Sequence, residues 1–366
     1  MAFAVQPLFP DPVAMPDVGL QRVLIVDDSA VARAVMERLI AATGRFTVAA
    51  SVSTARAALA FLERERVALV LLDVQMPGVD GLTALPDLIV AGQGAKIVIV
   101  SGQASEGATT TVQALALGAA DTLFKPANGE RMTRFGEALI DKLDNLADAR
   151  PARHIAEAPA EFALPPLQRT FSGRDEYDVV AIGASTGGIH ALSQFLRALP
   201  ADFVLPILIT QHLPASFMPY FAAQLAVLSG RPCDVAIDRL RLRPGRIAVA
   251  PGDAHMRCVA LADGSSAIRL ATDASASGCM PSVDPMFASM ASVFGKRMLA
   301  VVLSGMGRDG AEGARRVHEA GGCVVVQDQA SSVVWGMPGS VAEAGYAHAV
   351  LPPDAIGRLA AARQRP

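Results

Sequence analysis

Two successive series of short apolar runs, each bounded by turn formers, alternate with stretches of helical hydrophobic spacing along this sequence. Such alternation restricts a chain to α/β architecture, because a helix between two strands brings the chain back to lay the next strand parallel to the last. In the first series strands are predicted over 22–26, 45–51, 67–73, 96–100 and 121–124, with helices over 30–41, 54–65, 82–90, 105–117 and 129–146. In the second, strands are predicted over 179–182, 205–210, 247–250, 299–304 and 323–327, with helices over 189–199, 216–228, 284–294 and 309–320. Asp263-Gly264, flanked by 257–261 and 267–271, marks a β-hairpin. The expected fold class is α/β with two doubly wound domains. One is a five-stranded parallel N-terminal domain over 22–144, the other a mainly parallel C-terminal domain with a hairpin over 177–366. Proline-rich, aperiodic 1–21 reads as a flexible leader. Residues 145–176, which mix alanine, proline, arginine and acids, read as the linker.

Composition excludes several function classes. A net charge of -3 leaves no global footprint for nucleic acid or an anionic membrane, and no helix-turn-helix pattern or basic recognition helix follows the linker. No apolar run approaches membrane-spanning length, and no basic region leads into an apolar stretch at the N-terminus. Cys233, Cys258, Cys279 and Cys323 form no C-x-x-C pair and read as buried small hydrophobes in a reducing compartment. A soluble cytoplasmic protein is expected.

Charge collects at the strand ends of the first series. Asp27 and Asp28 follow its first strand, Asp73 ends the third, Ser101 ends the fourth and Lys125 follows the fifth. Any one acid could merely cap a helix, but three carboxylates brought together repel unless a hard cation such as Mg²⁺ joins them. These residues, with Leu72-Asp73-Val74-Gln75-Met76-Pro77, Asp80-Gly81 and Lys125-Pro126, resemble a response-regulator receiver domain over about residues 22–143. The resemblance implies phosphoryl transfer from a histidine kinase to Asp73. It implies Mg²⁺ held by Asp28, Asp73 and the Gln75 carbonyl with Asp27 beside it, and phosphoryl contacts from Ser101 and Lys125. Thr122 stands where receivers usually carry a switch aromatic, which puts coupling through a rotating ring in question.

In the second series Val179-Val180-Ala181-Ile182-Gly183-Ala184-Ser185-Thr186-Gly187-Gly188 places Ser185 in a sharp strand-to-helix turn. Small neighbours there permit a strained backbone, and the N–H groups of Thr186 and Gly187 would face a developing oxyanion at a helix N-terminus. A tight turn with a capping serine accounts for the motif equally well, while a phosphate loop lacks its Lys-Ser/Thr. A nucleophilic serine needs a base. Of the six histidines, His154, His318 and His348 read as solvated or packed, and His190 as a cap or substrate contact. His212 directly follows a buried strand and is the first choice of base; His255 is the second, with a substrate-contact role. Asp309 opens a helix beyond the next strong strand, where it serves either as an N-cap or as the acid that orients the base. Ser185, His212 and Asp309 all stand at carboxyl ends of predicted strands, which favours a triad. The order Ser…His…Asp differs from that of the α/β-hydrolases.

Gly183-Ala184-Ser185-Thr186-Gly187-Gly188, Gln211-His212-Leu213-Pro214, Ala250-Pro251-Gly252-Asp253, Pro281-Ser282-Val283-Asp284, Gly305-Met306-Gly307-Arg308-Asp309-Gly310 and Gly336-Met337-Pro338 resemble, in order, the chemotaxis protein-glutamate methylesterase catalytic domain. The resemblance implies hydrolysis of glutamate γ-methyl esters, and deamidation of certain glutamines, on chemoreceptors through an acyl-Ser185 intermediate. Met306 N–H would complete the oxyanion hole with Thr186, and no cofactor is expected for the ester hydrolysis. It also implies a receiver that covers the Ser185 mouth until Asp73 is phosphorylated. Ser277-Gly278-Cys279-Met280 lacks the basic residues many relatives carry before the proline. Arg239, Arg241 and Arg243 would share one side of an extended strand, either as a solvated edge or as a contact for acidic receptor helices. The rival readings are a non-catalytic two-component scaffold and an esterase or amidase acting on another protein.

Overall fold

The computed structural model describes residues 20–101, 105–125, 132–148, 177–363 and 365. The leader 1–21 and the linker 145–176 lie mostly outside these residues, as do Pro126 and His154.

The N-terminal half is built from β1 (Gln21–Val26), α1 (Ala30–Ala41), β2 (Phe46–Val52), α2 (Ala55–Leu62), β3 (Leu69–Asp73), α3 (Gly81–Gly92), β4 (Lys96–Ser101), α4 (Ser105–Leu117), β5 (Asp121–Phe124) and α5 (Met132–Asp148). Its five strands pair in parallel in the order β2-β1-β3-β4-β5. The chain reverses direction across the sheet between β1 and β3, and an open α/β sheet forms its crevice at such a point. Asp27 and Asp28 leave β1 there, and Asp73 ends β3 beside them.

The C-terminal half runs β6 (Val179–Ala184), α6 (Gly188–Arg197), β7 (Ile207–Gln211), α7 (Met218–Ser229), β8 (Cys233–Val235), β9 (Ile247–Val249), β10 (His255–Ala260) and β11 (Ser266–Ala271). It continues with α8 (Val283–Phe294), β12 (Met298–Val302), α9 (Ala311–Glu319), β13 (Cys323–Gln327), α10 (Gly336–Glu343), β14 (Ala349–Leu351) and α11 (Pro353–Ala362). Seven parallel strands order as β14-β13-β12-β6-β7-β9-β8, and β10 and β11 form the antiparallel hairpin. β6, β7, β12 and β13 are buried along their whole length, which is why they read as continuous apolar runs.

Four elements escape the sequence pattern: the short strands β8 and β14, and α10 and α11, whose first turns carry proline or glycine. The 239–243 run is also corrected. Arg239 turns at φ 65, and of the run only Arg241 forms a bridge, an isolated one to Ala267. Leu240 and Leu242 are half-buried while the three arginines are exposed, and Arg241 lies 2.7 Å from Asp263. Arg241 and Arg243 line a small pocket with Ile207 and Ile247, the first residues of β7 and β9. The stripe thus sits at the opposite end of the sheet from Ser185.

The two halves share one apolar cluster, in which Val112 and Leu115 of α4 join Ile189 and Leu192 of α6, Phe217 just before α7, and Met218 at its start. Among the described residues no helix is long and apolar enough to cross a membrane.

Candidate active site

β12, β6 and β7 are neighbours at the centre of the larger sheet, and each delivers one polar residue at its carboxyl end. Ser185 follows β6 immediately, His212 follows β7 immediately, and Asp309 ends the loop after β12. Parallel pairing puts all three at the same end, the end where such sheets build sites.

The turn after β6 is tight because Gly188 N–H donates to the Ser185 carbonyl at 2.8 Å and Ser185 N–H to the Ser304 carbonyl at 3.0 Å. The left-handed backbone falls on Gly187, at φ 75, rather than on the serine. A Cβ on Gly187 would approach Val333 to 2.5 Å, so glycine is required there on both counts. Gly187, not Ser185, caps α6, and the cap makes no side-chain bond. Ser185 Oγ has no hydrogen-bond partner among the described residues, and neither do the backbone N–H groups of Thr186 and Met306.

Asp309 does not cap its own helix, whose N-cap is Gly310. Its carboxylate, 1% exposed, sits instead at the N-terminus of α8. Oδ2 accepts from His212 Nε2 at 2.7 Å and from Val283 N–H at 2.7 Å, and Oδ1 accepts from Ser282 Oγ at 2.6 Å. Burial pushes this carboxyl up, but the bonds from His212, Ser282 and Val283 outweigh it and hold it down at about 2. Burial likewise opposes charge on His212, yet its bond to Asp309, the neighbouring Cys279 and the Asp309 charge push it up to about 9. Asp309 accepts a hydrogen bond from Nε2–H, which leaves Nδ1 as the nitrogen able to act on another group.

His255 is corrected from substrate contact to support. It is 0% exposed, and Ser282 N–H donates to its Nδ1 at 2.9 Å, so the proton lies on Nε2 and is given to the Asp273 carbonyl at 2.8 Å. Both ring nitrogens are thereby spent, Nε2 on the Asp273 carbonyl and Nδ1 on Ser282, which in turn holds Asp309. Sequence reasoning singled out Pro281-Ser282-Val283-Asp284 without giving Ser282 a role; a serine two residues before the helix predicted over 284–294 is the signal available.

Across the mouth lies the first domain. Ala120 carbonyl accepts the Gly187 N–H at 3.0 Å, Asp121 Oδ2 accepts Thr186 Oγ1 at 3.2 Å, and His190 Nδ1 donates to the Ala116 carbonyl at 3.1 Å. The rings of Phe124 and Phe217 lie 4.9 Å apart. Between the halves is a cavity of about 480 Å³ lined by Asp121, Thr122 and Lys142 on one side and Ser185, His212 and Met306 on the other. Thr122 thus lines the same cavity as Ser185.

At the other crevice an oxygen from each of Asp27, Asp28 and Asp73 lies within 4.8 Å of the others, an acidic cluster of the kind receivers use for Mg²⁺. Lys125 Nζ lies 2.8 Å from Asp27 Oδ2 and 2.7 Å from Asp73 Oδ2. Burial and the neighbouring Asp27 raise the Asp73 carboxyl despite Lys125 and the Gln75 N–H. Burial alone would lower Lys125, but the bonds to Asp27 and Asp73 raise it. The Ser101 hydroxyl is buried at the end of β4, 3.1 Å from Thr111 Oγ1.

Residues 180–359 match the family model for the CheB methylesterase, and residues 23–135 that for the response regulator receiver domain. The chain is 40% identical over 354 residues to a protein-glutamate methylesterase/protein-glutamine glutaminase of Paramagnetospirillum magneticum, covering 90% of this chain and 93% of that one. A second such protein, from Caulobacter vibrioides, is 41% identical over 348 residues, covering 94% of this chain and 99% of that one. With both family models in tandem and this likeness along nearly the whole length, the chain belongs to the CheB-type family of protein-glutamate methylesterases/protein-glutamine glutaminases that carry an N-terminal receiver domain.

Proposed function

We propose that this chain is a phosphorylation-controlled serine hydrolase acting on chemoreceptors in the cytoplasm. It removes γ-methyl esters from receptor glutamates and deamidates particular glutamines, which gives chemotactic adaptation. The observation that carries the reading is the 2.7 Å His212–Asp309 bond at the mouth that also holds Ser185. Ser185 Oγ attacks the ester carbonyl while His212 Nδ1 takes its proton, and buried Asp309 stabilises the imidazolium. The unpartnered N–H groups of Thr186 and Met306 receive the oxyanion; losing one such donor typically costs about 10²–10³ in turnover. Collapse expels methanol, or ammonia from an amide, with the proton from His212. Water, deprotonated by the same histidine, then frees the glutamate from the acyl-Ser185. No cofactor enters these hydrolytic steps.

The domains are assigned as a receiver over 22–144, a linker over 145–176 and a catalytic domain over 177–366, behind a leader over 1–21. Asp73 accepts the phosphoryl group from a chemotaxis histidine kinase, and Lys125 and Ser101 contact its oxygens. The acidic cluster fits Mg²⁺, since oxygens of three carboxylates lie within 4.8 Å of one another while the Lys125 cation pairs with only Asp27 and Asp73 among them. Asp28, Asp73 and the Gln75 carbonyl would hold the ion with Asp27 beside them, and it would offset the charge of the carboxylates and the incoming phosphate. The receiver contacts at Thr186, Gly187 and His190 support a closed resting state that phosphorylation opens.

Methanol release from a methylated chemoreceptor tests this, using wild type, Ser185→Ala and Asp73→Asn with and without Mg²⁺ and a small phosphodonor. Wild type is expected to release methanol faster with the phosphodonor, Asp73→Asn to keep only the basal rate, and Ser185→Ala to release none. Unimpaired release by Ser185→Ala would overturn the mechanism, and full stimulation of Asp73→Asn would overturn the gate.

A further inference from the structure

Cys279 departs from the buried-hydrophobe reading of the cysteines. It is half-exposed, and its Sγ, a ring nitrogen of His212 and a carboxylate oxygen of Asp309 all lie within 4.8 Å of one another. A thiol, an imidazole and a carboxylate form a donor set suited to Zn²⁺ and unlike the all-oxygen cluster of the receiver. We propose that His212, Cys279 and Asp309 form a binding site for a borderline-soft divalent cation, best matched by zinc, and that its occupation switches hydrolysis off.

Bond lengths of about 2.0–2.3 Å put tetrahedral zinc ligands roughly 3.3–3.8 Å apart. His212 Nε2 and Asp309 Oδ2, now 2.7 Å apart, must part to admit the ion, while Cys279 Sγ lies within 4.8 Å of a ligand atom of each. Cys279 is half-exposed, which opens the site to solvent for entry of the ion and of a water as fourth ligand. Asp309 is already fixed by Ser282 and Val283, so one ligand is preorganised. The other thiols do not compete: burial pushes Cys233 up to about 12, and Cys258 and Cys323 up to about 11.

Binding breaks the S–H bond of Cys279 and the Nε2–H bond of His212 and forms metal bonds to Sγ, Nε2 and Asp309. Starting from the imidazolium and the thiol, two protons leave to solvent and the remaining ring proton stays on Nδ1. Affinity therefore rises with pH. A ring metallated at Nε2 and protonated at Nδ1 has no lone pair for the Ser185 proton. The loss of hydrolysis rests on the reading of His212 as the base, whereas the binding does not.

The full chain is titrated with Co²⁺ and with Zn²⁺ in excess Mg²⁺, which occupies the receiver cluster, alongside Cys279→Ser and Cys279→Ala. Near-ultraviolet thiolate-to-cobalt absorption and zinc competition against a chromophoric chelator read binding. Hydrolysis of a small methyl ester, relative to each protein's own metal-free rate, reads function. Wild type is expected to bind one zinc with the thiolate band and to lose hydrolysis reversibly on chelation. Both variants are expected to lose the band and to need more than about tenfold more zinc, the loss that even a supporting partner of a ligand causes. Equal affinity in wild type and variants, or no thiolate band in wild type, overturns the site. Binding through Cys279 with hydrolysis intact overturns the switch and with it the role of His212, while the metal site stands.

Discussion

The Ala120 carbonyl accepts the backbone N–H of Gly187 at 3.0 Å, so the receiver occupies a donor two residues beyond Ser185, at the start of α6. The free N–H groups at a helix N-terminus carry its positive end, the part best placed to meet a developing negative charge. Asp121 adds a carboxylate against Thr186, the next residue back. The resting receiver thereby meets the same turn that supplies the proposed oxyanion donor.

Asp121→Ala removes the acceptor of Thr186, and Phe124→Ala removes the ring packed 4.9 Å from Phe217. Each contact is worth ~1 kcal/mol, or about fivefold in the closed–open balance. Unstimulated methanol release from receptor is expected to rise about that much in each variant, with the phosphodonor-stimulated rate little changed. An unchanged unstimulated rate in both would show that these contacts do not hold the gate.

A cavity of about 480 Å³ admits a small ester but not a receptor helix, whose diameter with side chains is about 10–12 Å. Phosphodonor stimulation is therefore expected to be several-fold larger for receptor than for a small methyl ester. Kinetics on the two substrates with one enzyme sample check it. Equal stimulation would place control in the chemistry rather than in access.

Ser282→Ala leaves Asp309 Oδ1 with only the long 3.4 Å bond from Asp284 N–H. A buried hydrogen bond to a charged group is worth about 1.5–3 kcal/mol. The kcat for a small ester is expected to fall about tenfold or more with KM nearly constant, and Ser282→Thr to recover part of it. A fall in stability without a fall in kcat would confine Ser282 to folding.

The general base must be neutral, and His212 is raised from 6.5 to about 9. Values of kcat/KM for a small ester are thus expected to climb with pH through about 9. Stability runs the other way: the raised imidazole contributes fully below 6.5, and that contribution is lost as pH rises through about 9. The Asp309 carboxyl, lowered from 3.8 to about 2, contributes above 3.8 and loses its share as pH falls through about 2. A pH–rate profile flat from neutrality upward would remove His212 as the base.

Legibility followed burial for the most part. The predicted bounds at 323–327 and 105–117 coincide with β13 and α4, because a fully buried parallel strand or an apolar helical stripe writes its burial directly into residue order; 121–124 coincides with β5, an edge strand whose two middle residues are buried. Edge strands β8 and β14 are three residues each and only half-buried, too short for any period to emerge. The arginine run misled for a related reason: alternation describes which side chains face water, and it survives in a segment that turns at Arg239.

Residue order by itself determined the two α/β sheets and the placing of Ser185, His212 and Asp309 at strand carboxyl ends. It also determined that the three first-domain aspartates end β1 and β3. Only the tertiary structure decided that Asp309 is held by the N-terminus of α8, that His255 is buried behind Ser282, and that Cys279 stands beside His212. Only it set Ala120 and Asp121 against the turn after Ser185. Strand and helix formation depends on neighbours a few residues apart, whose periodicity a sequence displays. A hydrogen bond between groups 97 residues apart, as from His212 to Asp309, depends on how finished elements pack.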